Sequence, residues 1–175
     1  FFCLSCDQQK STETYKADKV QATSLLGTEL SIPDRTEAQE KRLMDNLNEA
    51  QSNYDQDASE MNTIWLGRRH AYLYDYKKAI AVFTSGINAY PNSYKLYRHR
   101  GHRYISIREF DKAIADYEKA YELMPKNTTE IEPDGAPNRL NIPLSNTQFN
   151  ILYHYGLALY LKGDCEKAEA VYKEC

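Results

Sequence analysis

The sequence has no long apolar segment, no excess of basic charge and no recognisable catalytic motif. None of its hydrophobic runs is long enough to cross a bilayer, so the 175 residues contain no candidate membrane-spanning helix. The formal net charge is −3, which gives no global case for nucleic-acid binding. The nucleophile elbow Gly-x-Ser-x-Gly, the phosphate-binding loop, the dinucleotide fingerprint and the zinc motif His-Glu-x-x-His are absent. We therefore predict a protein that is not an enzyme and that uses neither a cofactor nor a metal.

Cysteine is scarce, and its positions give one prediction about location. Residues 1–6 read Phe-Phe-Cys-Leu-Ser-Cys and precede a polar stretch, which is similar to the end of a bacterial lipoprotein signal with Cys6 as the lipidated residue. The alternative is a redox or metal pair formed by Cys3 and Cys6, but zinc would need a second ligand pair at suitable spacing. Cys165 and Cys175 would lie about 15 Å apart on one helix, too far for a disulfide, and are interpreted as packing residues.

The strongest positive signal is a repeat of 34 residues. A glycine, an alanine, an aromatic residue and a proline all recur with this spacing, and a third unit follows with the same distance of 12 between its glycine and its alanine (168 − 156 = 12). The matching positions are Gly67 with Gly101, Ala79 with Ala113, Phe83 with Tyr117, Pro91 with Pro125, and Gly156, Ala168 and Tyr172 in the third unit. The pattern resembles the tetratricopeptide-repeat family over Met61–Cys175. The resemblance implies an all-α superhelix, in which each unit is a pair of antiparallel helices, A and B.

Each marker residue type has a physical reason. The glycine in helix A and the alanine in helix B let the two helices approach closely, and the aromatic residue fills the remaining gap. The prolines end helix B because proline cannot donate the helical hydrogen bond. Acidic residues suited to a helix N-terminus mark the turns between A and B, at Asp75, Glu109 and Asp164. Since one unit cannot bury its apolar face alone, stacked units share one core.

The remaining segments give the predicted domain organisation. Residues 1–6 are the remnant of a lipoprotein signal, and polar residues 7–35 form a flexible tether. Apolar residues with helical spacing, Leu43, Leu47, Ala50 and Tyr54, predict a capping helix whose start Asp34 or Thr36 would cap. The boundaries of the tetratricopeptide-repeat domain (36–175) are: capping helix 36–58, repeat one 60–92, repeat two 94–126, insertion 127–146, and a truncated repeat three 148–175.

The insertion between repeats two and three is an irregularity that the repeat does not explain. Gly101 and Gly156 are 55 residues apart, so 21 residues are added to the period (55 − 34 = 21). Turn residues fill its centre, and its apolar residues, including Ile131 and Leu140, predict packing against another part of the chain. We interpret the insertion as an ordered flap, with a disordered spacer as the alternative.

Helix A lines the concave side of such an array, and three of its positions share one face. These positions lie three residues before the glycine of helix A, one residue after it and four residues after it. They predict a groove with a basic half and an apolar half, formed by Arg68, Arg98 and His102 and by Tyr153, Leu157 and Tyr160, respectively. Arginine is well suited to carboxylate binding. No asparagine accompanies the arginines, unlike family members that grip carboxylate-ended peptide tails. We expect a protein or peptide partner with acidic groups.

Arg100 occupies the position at which the repeat normally buries leucine. A buried arginine needs a partner because an unpaired buried charge is costly. We consider three alternatives: carboxylates of the insertion (Glu130, Glu132 and Asp134) neutralise Arg100 when the flap folds over the concave face, the arginine cluster binds a ligand, or Arg100 is exposed to solvent. A flap that closes the groove around a ligand would make the first two compatible.

Three functional hypotheses follow. The first is a protein–protein interaction scaffold anchored to the bacterial cell envelope by a lipid on Cys6, with a cytoplasmic location as the alternative. The second is a small anionic-ligand or enzymatic pocket under the flap. The third is a structural module that binds through its convex surface. The segments 101–104, 132–135 and 153–156 are also similar to functionally uncharacterised bacterial tetratricopeptide-repeat proteins, a resemblance that implies no activity. The oligomeric state is left open.

Overall fold

The computed structural model describes residues 20–126, 131, 139–140 and 146–175. Within these ranges the chain forms a short β hairpin followed by seven helices, and each helix packs antiparallel against the next. The predicted all-α solenoid is confirmed. The elements are β1 (Val20–Thr23), β2 (Glu29–Ser31), α1 (Glu37–Gln56), α2 (Glu60–Tyr72), α3 (Tyr76–Ala89), α4 (Tyr94–Ser106), α5 (Phe110–Leu123), α6 (Thr147–Lys162) and α7 (Cys165–Glu174).

Helices α2, α4 and α6 are the A helices, and α3, α5 and α7 are the B helices of the three units. The A helices also contact one another, α2 with α4 and α4 with α6, so that they form one continuous face of the solenoid. Helix α1 precedes the first unit and packs against α2. No helix in the described part of the chain combines the length and the apolar character needed to cross a bilayer.

Short polar side chains start the helices. Thr36 forms a capping box with Gln39 at α1, in which each side chain accepts a hydrogen bond from the backbone N–H of the other residue. The acidic residues predicted to mark the turns between A and B are the N-cap residues of α3, α5 and α7. The carboxylates of Asp75 and Asp164 accept a hydrogen bond from the third backbone N–H of their helices, whereas the Glu109 carboxylate does not.

The contacts between helices A and B explain the repeat. A Cβ atom built on Gly156 would lie 2.6 Å from the Tyr172 ring, and one on Gly101 would lie 3.0 Å from the Tyr117 ring. A side chain at either glycine would therefore collide with the aromatic residue of helix B or press tightly against it. The marker alanines Ala79, Ala113 and Ala168 are fully or almost fully buried beside these contacts. The core has three clusters: one between α1 and the first unit, one between the first and second units, and one between the second and third units.

The structure differs from the predicted flexible tether over residues 20–31. A hairpin forms there because Ser24 closes a tight turn: its backbone N–H donates to the Thr28 carbonyl, and its hydroxyl accepts from the Thr28 N–H. Gly27 supplies the positive φ of 82° that this turn requires. The Gln21 side chain is buried and accepts a hydrogen bond from the backbone N–H of Lys77, which docks the hairpin onto the start of α3. The hairpin was not predicted because the segment was interpreted from its polar composition alone.

Several predicted features lie outside the described residues. They are Cys6 and the signal remnant, the first part of the tether, and the insertion carboxylates Glu130, Glu132 and Asp134. At the edges of the insertion, Ile131 and Asn146 form an antiparallel bridge. Ile131 and Leu140 are 52% and 77% exposed, so the expectation that these two residues pack against the rest of the chain was wrong.

Candidate functional site

The A helices place a cluster of arginine and histidine side chains on the face that they share. Arg68 of α2 is 7% exposed; its guanidinium donates a hydrogen bond of 2.6 Å to the Tyr72 hydroxyl and lies 4.4 Å from the centre of the Trp65 ring. The two aromatic residues hold the long side chain in place, and such cation–π contacts favour the charged guanidinium. Arg68, which was predicted as a groove residue, is therefore almost fully buried and held in one conformation.

Arg98 of α4 is next in the cluster and is 6% exposed. Its guanidinium donates a hydrogen bond of 2.8 Å to Nε2 of His99, the neighbouring residue. Since arginine has no acceptor, Nε2 carries no proton and the His99 ring is neutral. The pKa of His99 is well below its usual value because the ring is buried and, in addition, because the charged arginines Arg98, Arg68 and Arg103 lie near it. Each of these neighbours lowers the pKa.

His102 links the second unit to the third. Its ring lies against the His154 ring of α6, with 4.4 Å between the ring centres, and Nδ1 of His154 donates a hydrogen bond to the Asn150 carbonyl. Burial lowers the pKa of His102 well below its usual value, and the nearby Arg103, His154 and Arg98 lower it further. Arg68, Arg98 and His102 thus belong to one cluster, which is neutral at its imidazoles and charged at its arginines.

The predicted apolar half lies on α6. Tyr153 is 43% exposed and stacks on Phe149, with 5.7 Å between ring centres. Tyr160 is 59% exposed, and Leu157 between them is half-buried. The edge of the Tyr153 ring meets His154 at 5.2 Å, and His154 contacts His102. The structure therefore joins the two halves through one imidazole.

Two imidazoles that were not predicted as site residues fill the contacts between units. His99 stacks on Phe83 of the preceding unit at 5.6 Å, and His154 stacks on Tyr117 of the preceding unit at 6.2 Å. Both occupy the position two before the glycine, where the first unit has Trp65. The sequence did contain a signal for His99 and His154, since every unit has an aromatic or imidazole ring at this position.

Arg103 and Tyr117 also border the cluster without having been predicted. Burial lowers the pKa of Arg103, opposed by the nearby Tyr76, Tyr117 and Tyr72, and its guanidinium lies 5.6 Å from the centre of the Tyr76 ring. Within the described residues, no carboxylate forms an ion pair with Arg103. Burial raises the pKa of Tyr117 above its usual range, although Arg98 and Arg103 oppose the shift. Arg103, at the second position after the glycine, was missed because the predicted face included only the first and fourth positions.

Arg100 does not belong to this cluster, because it is bound by a carboxylate of α5. Its guanidinium donates two hydrogen bonds, of 2.8 and 2.7 Å, to the two carboxylate oxygens of Asp116, and a third of 3.1 Å to the Thr84 hydroxyl. Asp116 is 4% exposed. Solvent exposure is therefore the wrong alternative for Arg100, since it is part of a specific network. The predicted carboxylates of the insertion lie outside the described residues.

A shallow cavity extends the concave face toward α1. It has a volume of about 190 Å³ and lies beside Trp65, which contacts Arg68. Its lining includes Asn46 and Asn53 of α1 and Arg69 of α2. Asn62 of α2 also lines it, and none of these asparagines lies at the three positions of helix A from which the groove was predicted. The amides from α1 add groups that pair with peptide N–H and C=O.

The chemistry of this face is suited to holding anionic and aromatic groups. Arginine side chains supply permanent charge and several hydrogen-bond donors, and the exposed tyrosines supply flat apolar surface. In the part of the chain that the structure describes, histidine, cysteine, aspartate and glutamate form no group of three or more that would hold a metal ion. The fold and the site together define a helical solenoid of repeated antiparallel helix pairs, with a basic cluster on the face that its A helices share.

Comparison with known proteins agrees with this class. Residues 94–127, which include α4 and α5, match the family model "Tetratricopeptide repeat", and this supports a tetratricopeptide-repeat protein. The crystal structure of MamA protein is similar at 21% identity and a TM-score of 0.57, covering 75% of this chain. The chain spans only 61% of that MamA chain. No curated protein matches this chain by sequence.

A second similar structure contains a bound peptide. It is the second tetratricopeptide repeat of Spaghetti (RPAP3) bound to the HSP90 peptide SRMEEVD, with 22% identity and a TM-score of 0.50. The match covers 71% of this chain and 94% of that chain. At these identities both structures show the fold alone. The resemblance to bacterial proteins and lipoproteins stays a prediction.

Proposed function

We propose that this chain is a non-catalytic protein–protein interaction module that binds a peptide segment or a partner helix on its concave face. The observation that carries the proposal is the concave cluster, in which Arg68, Arg98 and His102 come together from two A helices. These residues would hold acidic groups of the partner, and Tyr153, Leu157 and Tyr160 would hold its apolar groups. The peptide in the Spaghetti complex contains acidic residues, which supports a ligand of this chemistry.

The position of the polar groups favours an extended ligand over a compact one. The cavity beside Trp65 lies at the α1 side of the face, the arginines lie in the middle, and the tyrosines lie on α6. A ligand that contacts all three crosses the three A helices in turn. Amides of Asn46 and Asn53 are suited to main-chain groups, since an asparagine both donates and accepts. Specificity would then come from the acidic and aromatic side chains of the ligand.

The test compares two double variants with equal charge. Arg68→Gln/Arg98→Gln removes two positive charges from the groove and leaves a shorter polar side chain at each position, and Lys41→Gln/Lys119→Gln removes two from the exposed surfaces of α1 and α5. Partners are captured from the native cell with each protein and identified. A synthetic segment of the partner is then titrated by calorimetry. We expect the groove variant to weaken binding by at least about tenfold, since each charged hydrogen bond contributes about 1.5–3 kcal/mol.

The control variant should bind like the wild type, and circular dichroism should show that both variants are folded. Equal binding by the groove variant and the wild type would remove the basic cluster from the proposal. Loss of binding in both variants would indicate a general charge effect instead of a groove.

The location of this module is a separate proposal. We propose lipid anchoring of the full-length protein to the bacterial envelope through Cys6, on the sequence pattern alone. Cys6→Ala should move the protein from the membrane fraction to the aqueous fraction. Retention of the variant in membranes would argue against the anchor and leave the groove proposal unchanged.

A further inference from the structure

The Tyr117 hydroxyl is a buried polar group without a hydrogen-bond partner among the described residues. Tyr117 is 0% exposed, and its oxygen atom has no donor or acceptor within reach. Leaving such a group unsatisfied costs about 1–3 kcal/mol. The first unit has Phe83 at the same position, buried to a similar degree, so packing does not require the hydroxyl. This oxygen therefore points to a ligand.

The surroundings of this hydroxyl are cationic and come from α4 and α6. Arg98 and Arg103 lie close enough to Tyr117 to oppose the rise of its pKa, and the Tyr117 ring stacks on the His154 ring. Arg103 is half-buried and has no carboxylate partner within the described part of the chain. His102, which is also half-buried, contacts His154. A permanent charge on Arg103, the hydroxyl of Tyr117 and the imidazole of His102 thus lie at one junction, that between the second and third units.

The molecule itself shows what a single carboxylate requires. Asp116 is satisfied by one guanidinium, that of Arg100, through two hydrogen bonds of 2.7 and 2.8 Å. The junction offers more donors than this: the Arg103 guanidinium, the Tyr117 hydroxyl and the His102 imidazole. A phosphate monoester has three terminal oxygens and a charge of about −1.5 to −2 at neutral pH. Such a group can use three separate donors, whereas one guanidinium already satisfies a carboxylate.

We propose that the junction of the second and third units is a binding site for a phosphoryl group, formed by Arg103, Tyr117 and His102. The inference rests on the proposed function insofar as the phosphoryl group belongs to a bound peptide, as phosphoserine or phosphothreonine. A free phosphate monoester has the same chemistry and uses the same donors. The Arg68 and Arg98 side of the groove then holds the neighbouring part of the ligand.

Histidine resonances report binding at this site directly. The chain has four histidines; His99, His102 and His154 border the site, and His70 is buried within the first unit. The complete 175-residue protein is titrated at constant ionic strength with three probes: a glycine-flanked phosphoserine peptide, the same peptide with glutamate, and inorganic phosphate. We expect the phosphorylated peptide and phosphate to shift the three site resonances and to leave His70 unchanged. The glutamate peptide should need at least about tenfold higher concentration.

Tyr117→Phe is the decisive variant because it removes only the hydroxyl. It should weaken phosphate binding by about tenfold, the value of one charged hydrogen bond, and leave the weak glutamate binding unchanged. Without phosphate its melting temperature should equal or exceed that of the wild type, since an unsatisfied buried oxygen is lost. Arg103→Gln should weaken phosphate binding similarly. Equal affinity for the phosphoserine and glutamate peptides, or unchanged phosphate binding by Tyr117→Phe, would overturn the proposal.

The probes also separate this site from the proposed function. Tighter binding of the phosphoserine peptide than of inorganic phosphate assigns the group to a peptide, and equal binding assigns it to a small phosphate; either result supports the site. A protein that binds its partner through Arg68 and Arg98 but shows no histidine shifts with phosphate refutes this inference alone. Phosphate binding without any effect of Arg68→Gln/Arg98→Gln on the partner refutes the proposed function alone.

Discussion

The pairing of Arg100 with Asp116 gives a double substitution with an unusual expected result. In the first unit the same two positions hold Leu66 and Val82, which pack together in the apolar core (100 − 34 = 66; 116 − 34 = 82). The second unit therefore has a charged pair, Arg100 and Asp116, at the positions where the first unit has an apolar pair. We predict that Arg100→Leu and Asp116→Val are each destabilising alone, and that the two together restore stability.

The magnitudes follow from the burial of the two side chains. They are only 17% and 6% exposed, and breaking a buried ion pair by removing one partner costs about 3–5 kcal/mol. Arg100→Leu leaves the Asp116 carboxylate without its guanidinium. Asp116→Val leaves the guanidinium without a carboxylate, with the Thr84 hydroxyl and the rings of Tyr97 and Tyr104 as its remaining contacts. For a chain of this size a loss of about 3 kcal/mol lowers the melting temperature by about 6–12 °C. Replacing both partners by apolar residues is often neutral or stabilising, so the double variant should lie within about 1 kcal/mol of the wild type or above it.

The assay is urea unfolding of the wild type, both single variants and the double variant, followed by circular dichroism. The coupling energy is the double-variant change minus the two single changes, and we expect about 3 kcal/mol or more in favour of the pair. The same cycle at Lys41 and Asp45, an exposed pair on α1, is the matched control and should give less than about 0.5 kcal/mol.

Two results would refute this reasoning. If Arg100→Leu alone left stability unchanged, the guanidinium would not be part of a required network. If the double variant were as unstable as the worse single variant, the second unit would not tolerate the packing of the first, and the two sites would not be equivalent.

Three further predictions follow. Gly67→Ala should cost about 1–3 kcal/mol in unfolding free energy because the added methyl overlaps the Phe83 ring, and Phe83→Leu in the same chain should recover part of the loss. Burial lowers the pKa of His70 to about 4, although Asp75 opposes the shift. As pH falls, the unfolded chain therefore binds this proton before the folded chain does, so the free energy of unfolding should fall by about 3 kcal/mol between pH 6.5 and pH 4. Urea unfolding should show a smaller fall in His70→Tyr. A bound anion raises the pKa of His102, so the affinity of the wild type for the phosphoserine peptide, measured by calorimetry and divided by that of His102→Asn, should be higher at pH 5 than at pH 7; the ratio cancels the protonation of the phosphate itself. Each pH prediction would be contradicted if the measured quantity, stability for His70 and affinity for His102, changed equally with pH in the wild type and in the variant.

The repeat could be predicted because its markers are contacts of closest approach. Gly101 and Gly156 face the aromatic rings of Tyr117 and Tyr172 so closely that few other residues fit, and such positions leave a pattern in any single chain. The helix starts could be predicted for a similar reason, since only a few side chains satisfy the first backbone N–H groups. Both are local rules that do not depend on how the units are placed in space.

The partners of the charged residues were harder to predict because they depend on two helices at once. The insertion was considered as the source of a carboxylate for Arg100, but Asp116 is the residue that replaces Val82 of the first unit and Val171 of the third. A comparison of the units position by position would have revealed this departure. The concave cluster was incomplete for a geometric reason: the face of helix A is wider than one line of residues, so His99 and Arg103 were left out.

The stacking of His99 on Phe83 and of His154 on Tyr117 has a consequence for how the array unfolds. In a linear array each unit is stabilised by its neighbours, and the contacts between units determine whether unfolding is all-or-none. Here each interface contains an imidazole in an aromatic stack, and burial keeps the His99 ring neutral. Acid therefore weakens the coupling between units as well as the units themselves. At low pH we expect the solenoid to unfold in stages, and at neutral pH we expect it to unfold as one cooperative body.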